Sequence, residues 1–320
     1  MTRTWIGIDI SKHKFDVCVL YAENKRQHKI FTNDPKGFDN FMLWLKHLGV
    51  TDSHLCMEST GIYGEKLPYY LHKSEQKVSI VNPARIKAYA RSEGIRNKTD
   101  KVDCGVIARF CKSQNPLVWR PASPEERELK EFYRCLQNLK QDHLRISNRL
   151  EKVHVRKTDC SKMWNELLRF IDKKIKNIEE KISDFVKKHE TLQLQVGLLK
   201  TIPGIQEKTA VAILAELPNV KNFKNAKEAA AFVGLTPTIR QSGTSVNGKG
   251  RLSKIGNAQL RKALYMPAIV AKNHNPLLKE FSARLSKKGK HPMTIIAAAM
   301  RKLLHIIFGV LKTQKPFAFP

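Results

Sequence analysis

Acidic residues are scarce in this 320-residue chain: 29 Asp and Glu stand against 58 Lys and Arg, a formal charge of +29. The shortage is steepest from 229 to 320, where Glu280 is the one acid among sixteen Lys and Arg. Such an excess disfavours a small-metabolite enzyme. It points to a polyanion, nucleic acid before an anionic membrane. The plainer alternative is a solvated basic surface or ribosomal-type RNA packing. Cysteine is sparse: Cys18, Cys56, Cys104, Cys111, Cys135 and Cys160 form no CxxC pair, and no Cys/His cluster has zinc spacing. They read as buried free thiols in a reducing cytoplasm. No signal-peptide pattern opens the chain. Long apolar runs are missing too. The most apolar stretch, Met293 to Leu311, is broken by Arg301, Lys302 and His305, and reads as a buried amphipathic helix rather than a membrane span.

Gly and Pro are absent from 125–195. There Leu129, Leu136, Leu139, Ile146 and Leu150 recur at helical spacing, and Ile171, Ile175, Ile178, Ile182 and Phe185 repeat it. The pattern predicts long helices in a hairpin or coiled coil, serving as a spacer or a dimerisation element. Residues 3–120 instead alternate strand and helix signals. Strands are expected at Trp5–Lys12, Phe15–Tyr21, Gln27–Thr32, His54–Glu58 and Lys77–Val81, the last stopped by Asn82-Pro83. Helices are expected at Pro35–Leu48, at Tyr63–Lys73 and after a Thr99 cap. This is an α/β domain with a mixed sheet. The last ~125 residues are mainly helical in pattern. In them Lys200–Ala215 resembles a helix-hairpin-helix unit, although an ordinary helix connection reads almost as well. A polar, Gly-rich stretch covers Thr238–Gly256.

Against this basic background four acids hold unusual places. Asp9 lies in an apolar strand, opposite in facing to Ile6, Ile8 and Ile10; Glu58 ends another strand; Asp100 and Asp103 open a helix. An ionised carboxylate among apolar residues is costly unless it meets a cation or donors. Each acid also has a bland reading: a strand-end hydrogen bond for Asp9, a turn cap for Glu58, helix-dipole stabilisation for Asp100 and Asp103. Together they form an ordered set. Asp100 and Asp103, at i and i+3, share a helix face and suit one metal pair. Hard divalent cations take such oxygen ligands, and two of them can clamp a phosphoryl transfer. Ser242 sits in Arg240-Gln-Ser-Gly243. A loop serine is ordinarily just that. Beside Arg240 it is also a candidate nucleophile toward a phosphodiester, with Ser245 and Ser253 as rivals.

The stretches Gly7-Ile-Asp-Ile-Ser-Lys12, Met57-Glu-Ser-Thr-Gly61, Asn82-Pro-Ala-Arg85, Lys98-Thr-Asp-Lys-Val-Asp103, Ile202-Pro-Gly-Ile205, Gly234-Leu-Thr-Pro237, Gln241-Ser-Gly243 and Ser253-Lys-Ile-Gly-Asn257 run in order over nearly the whole chain. In these the chain resembles insertion-sequence transposases of the one-ten family, the DEDD group that includes the Piv-type DNA invertases. The resemblance implies an RNase H-like (RuvC-like) α/β domain over 1–120, a coiled-coil spacer over 121–195 and a mainly α C-terminal transposase domain over 196–320. It implies that Asp9, Glu58, Asp100 and Asp103 hold Mg²⁺ and that Ser242 forms a covalent phosphoserine intermediate. Donor and target DNA, a structured bridge RNA, a homo-oligomer (dimer or tetramer) and a prokaryotic cytoplasm follow from it as expectations. Lys12, Arg85, Lys87, Lys98, Lys101, Arg240, Lys249, Arg251, Lys254 and Arg261 are the candidate nucleic-acid contacts.

Two other functions compete. One is a RuvC-like nuclease or junction resolvase using water as nucleophile. The other is a non-enzymatic nucleic-acid-binding protein whose acids are structural. A sugar-kinase-like ATPase shares the Gly-Ile-Asp-Ile-Ser opening, but it lacks a second Gly-rich phosphate loop here and suits +29 poorly.

Overall fold

A computed structural model describes residues 3–23, 25–59, 61–97, 99–156, 160–217, 219–239, 241–243, 245–248 and 250–319, with backbone alone for 153–156 and 246–247. The chain forms two compact units, Met1–Pro121 and Ala122–Pro320.

The first unit is built on a five-stranded mixed sheet. Strands β1 (Thr4–Ile10), β2 (Lys14–Leu20) and β3 (Arg26–Thr32) form an antiparallel meander. Helix α1 (Pro35–His47) leads to β4 (Ser53–Glu58), and α2 (Lys66–Lys73) leads to β5 (Lys77–Val81). Both later strands run parallel to β1 on its other side, giving the order β3-β2-β1-β4-β5. Period-2 alternation sends Ile6, Ile8, Ile10, Val17 and Val19 to one face, where Phe38, Phe41 and Leu45 of α1 and Leu67 and Leu71 of α2 bury them. Two helices follow the sheet: α3 (Pro83–Ser92) and α4 (Asp100–Gln114). Asn82-Pro83 does more than stop a strand. The Asn82 side chain accepts from Ala84 N at 2.8 Å and caps α3, a helix the sequence pattern did not suggest. The expected helix from Tyr63 is a 3₁₀ turn, Gly61–Gly64, followed by α2.

Helix α4 lies across the sheet's other face, directly over β1. A Cβ on Gly7 would overlap the Cys104 carbonyl and the Ala108 amide, so α4 packs this closely only because residue 7 has no side chain. Thiols flank the contact: Cys104 of α4 meets Cys18 of β2, and Cys111 meets Cys56 of β4. These four cysteines are buried, as the sequence led us to expect. Cys135 and Cys160 are exposed, which corrects that reading for both: Cys135 lies on the outer surface of the long helix at 124–156 and Cys160 in the turn just before the helix at 161–188.

Among the described residues the regular structure of the second unit is helical apart from two small β ribbons. Helices α5 (Pro124–Arg156) and α6 (Ser161–Lys188) form an antiparallel hairpin. Its cross-pairs are Lys140 with Glu179 at 2.7 Å, His143 with Asp172 at 3.2 Å, and Arg149 over the Trp164 ring at 5.7 Å. Helices α7 (Glu190–Lys200), α8 (Glu207–Glu216) and α9 (Ala226–Val233) precede the ribbons, formed by β6 (Pro237–Thr238), β7 (Gln241–Ser242), β8 (Val246–Asn247) and β9 (Arg251–Leu252). Helices α10 (Ala258–Ala263), α11 (Tyr265–His274), α12 (Pro276–Lys287) and α13 (Pro292–Thr313) complete it. By length and composition α13 could cross a membrane. Here Ala299, Leu303, Leu304 and Ile307 are fully buried in the helical core. Gly204, in the Pro-Gly turn between α7 and α8, has φ +98°, and a Cβ there would press on Pro267 and Ala271 of α11. The turn's glycine thus serves helix packing.

Candidate active site

Strand register assembles the acids. Asp9 is directly paired with Asp16 of β2. On the other side Ile8 pairs with Met57, so Asp9 and Glu58, the next residues, stand side by side at the ends of parallel strands. Alternation puts Asp16, Asp9 and Glu58 on the α4 face, in a row across β2, β1 and β4. Neighbouring strands are roughly 4.8 Å apart, so the row is tight. Asp100 and Asp103 lie in the first turn of α4, beyond the point where Gly7 lets that helix touch the sheet. Thr99 caps the turn, its hydroxyl accepting from Val102 N at 3.3 Å. The positive end of the helix dipole favours carboxylates there.

Asp9 feels the whole set. Burial first, then the charges of Asp103, Asp100, Glu58 and Asp16, raise its pKa from the ordinary 3.8 to about 6. Electrostatically the four expected acids are therefore together, and a fifth, Asp16, joins them. Among the described residues, no three Asp, Glu, His or Cys side chains are already closed into a metal-binding cluster. Positive charge comes instead from Lys14, whose ammonium lies 2.8 Å from Asp100 Oδ2 and 3.2 Å from Asp16 Oδ2. Those hydrogen bonds, to Asp100 first and then Asp16, raise the Lys14 pKa and keep it charged. The donor set is all oxygen, crowded with like charge and reachable at Asp100. That chemistry fits a hard divalent cation.

Sequence reasoning missed Asp16, Lys14 and His28, the last with Nε2 2.9 Å from Asp16 Oδ1. Asp16 carried the same signal as Asp9, an acid within an apolar strand. Only the pairing of β1 with β2 gives it meaning.

Ser242 lies in the second unit, exposed on β7, where it pairs with Val246 of β8. The stretch read as loop thus holds two short ribbons, β7 with β8 and β6 with β9, and the second of them has a fixed base. Asn257 N reaches Phe232 O at 2.8 Å, Ser253 N reaches Thr236 O at 2.9 Å, and Lys254 N reaches Gly234 O at 3.2 Å. Beneath it the buried Glu216 accepts from Asn257 Nδ2 at 2.7 Å and from Arg134 Nε at 3.2 Å. The Ser242 side chain is open to solvent on β7. Among the candidate nucleic-acid contacts, Lys12, Arg85, Lys87 and Lys101 are exposed on the first unit, as are Arg251 on β9 and Lys254 just after it on the second. Arg261 is half-buried and donates to Val233 O at 2.8 Å, closing α9, so part of its guanidinium is already committed. Lys98, Arg240 and Lys249 lie outside the described residues.

Comparison with known proteins extends over both units. Residues 6–158 match a transposase family profile of the DEDD, IS110 type, and residues 196–283 match the profile described as transposase IS116/IS110/IS902 family. A pilin gene-inverting protein of Moraxella bovis is 36% identical over 320 residues, covering 99% of this chain and 98% of the relative. That of Moraxella lacunata is 35% identical over the same span. A transposase for insertion sequence element IS1533 from Leptospira borgpetersenii is 24% identical, covering 72% of this chain and 74% of the relative.

Proposed function

Because the chain belongs to the IS110 family of DEDD transposases and is a DNA-rearranging enzyme, we propose that it cuts and rejoins DNA through a phosphoserine on Ser242, with Asp9, Glu58, Asp100 and Asp103 as its carboxylate tetrad. The observation that carries this reading is the row of strand-end acids beneath the N-terminus of α4. The meander followed by two parallel strands supports an RNase H-like (RuvC-like) fold for the first unit. Residues 121–195 are then the coiled-coil spacer and 196–320 the transposase domain.

The tetrad would hold Mg²⁺, which when bound stabilises charge on the attacking and leaving oxygens. Ser242 loses its proton, and its Oγ bonds to phosphorus as one backbone P–O bond breaks. The departing deoxyribose oxygen takes up a proton. Attack by a second DNA hydroxyl reverses the step: it frees Ser242 and seals a new phosphodiester. Bond energy is kept throughout. Arg251 on β9 and Lys254 just beyond it, both exposed and near Ser242 in sequence, balance charge on the phosphate. The +29 charge supports donor and target DNA together with a bridge RNA, handled by a dimer or tetramer in a prokaryotic cytoplasm.

A second outcome of the same chemistry is inversion of a DNA segment between two sites. The near-complete coverage of pilin gene-inverting proteins favours it over movement of an element. The test mixes protein, RNA from the flanking DNA, donor and target DNA, and Mg²⁺. We expect a denaturation-resistant protein–DNA adduct that is absent in Ser242→Ala and with EDTA. Cleavage that survives Ser242→Ala but is lost in Asp9→Asn would assign a water-using nuclease instead. Product sequencing separates inversion from insertion.

A further inference from the structure

We infer that Lys14 and Asp16 are positioning residues of the carboxylate site: Asp16, fixed in the sheet, anchors the Lys14 ammonium, and Lys14 holds Asp100 ready for a divalent ion. The inference rests on the metal-binding reading of the tetrad.

Asp16 is a poor ligand itself. Its side chain is 4% exposed, with Oδ1 2.9 Å from His28 Nε2 and Oδ2 3.2 Å from Lys14 Nζ. A carboxylate only accepts, so Nε2 carries the proton in that contact. Both oxygens are engaged, and an acid this buried needs such partners. Asp100 is the opposite case. Its side chain is 55% exposed at a helix start, and Lys14 Nζ holds its Oδ2 at 2.8 Å. Immobilising an exposed side chain costs free energy, and ordering it beforehand removes that cost from binding.

Lys14 is itself well placed for this task. Ser11 N and Ser11 Oγ both donate to the Lys14 carbonyl at 2.9 Å, closing the β1–β2 turn. The ammonium thus starts from a fixed backbone and reaches between two carboxylates. It also supplies a positive charge among five acids, which lets them stay close before a metal arrives. Partners that orient the ligands of a metal site are typically worth about 10–100-fold in affinity.

The test is Mn²⁺ binding to the full-length, nucleic-acid-free protein, followed by the electron paramagnetic resonance of free Mn²⁺. We expect Lys14→Met and Asp16→Asn to weaken binding about 10–100-fold while circular dichroism stays that of the folded protein. Lys14→Arg should recover most of the loss, which a merely structural lysine would not require. Unchanged binding in Lys14→Met would overturn the inference. So would tighter binding, which would make Lys14 a competitor of the metal. The Asp9→Asn variant separates the two levels. If it alone abolishes binding, the tetrad reading stands and the role of Lys14 falls. If the wild type takes up no Mn²⁺, both fall.

Discussion

Replacing Asp9 with Asn should stabilise the metal-free first unit at neutral pH while disabling its chemistry. Burial and four neighbouring carboxylates hold the Asp9 pKa near 6 rather than 3.8. A raised carboxylate pKa means that the folded state binds the proton more tightly than the unfolded chain. Stability therefore falls as pH rises from about 4 to about 6, and the deficit persists above that window. The full difference corresponds to about 3 kcal/mol at neutral pH. Asp9 is partly exposed, so solvent screening reduces it to about 1–2 kcal/mol. Asn keeps the shape and removes the charge. For a unit of this size the gain should appear as a rise in melting temperature of about 4–8 °C. Melting followed by circular dichroism in EDTA at pH 7.5 reads it directly. At pH 5 the gap should shrink, because Asp9 is then largely protonated. Added Mg²⁺ should raise the melting temperature of the wild type and not that of the variant. A variant that melts at or below the wild type at pH 7.5, or a gap that does not narrow at pH 5, would refute the crowding of charge on which the site rests.

Two further perturbations probe how the site is carried. Gly7→Ala sets a methyl against the backbone of α4 and should cost at least about 3 kcal/mol, since neither partner is a side chain that can swing away. Urea denaturation reads this cost, and one under about 1 kcal/mol would show that α4 is not seated on β1 as described. Native labelling with a thiol reagent should modify Cys135 and Cys160 at once and leave Cys18, Cys56, Cys104 and Cys111 until unfolding. Prompt reaction at Cys104 or Cys111 would mean that α4 opens away from the sheet.

Local patterns carried much of the fold. The three N-terminal strands, the Pro35 start of α1, the Thr99 cap of α4 and the Gly- and Pro-free hairpin helices were legible because each depends on short-range periodicity or one capping residue. The start of α3 was missed because Asn-Pro ends a strand and begins a helix with the same two residues. The ribbon bearing Ser242 was read as loop because its strands are two residues each, too short for alternation to register.

The basic surface, the α/β-then-helical order and the placing of Asp9 within one strand and Glu58 at the end of another could all be read from the residues, since charge and side-chain facing are local properties. Which acids meet depends on how the strands pair. A slip of one residue between β1 and β2 would turn Asp16 to the opposite face and leave Lys14 without its anchor. That register is set by the packing of both sheet faces, with Ile8 and Val17 against α1 and α2 on one side and Gly7 beneath α4 on the other.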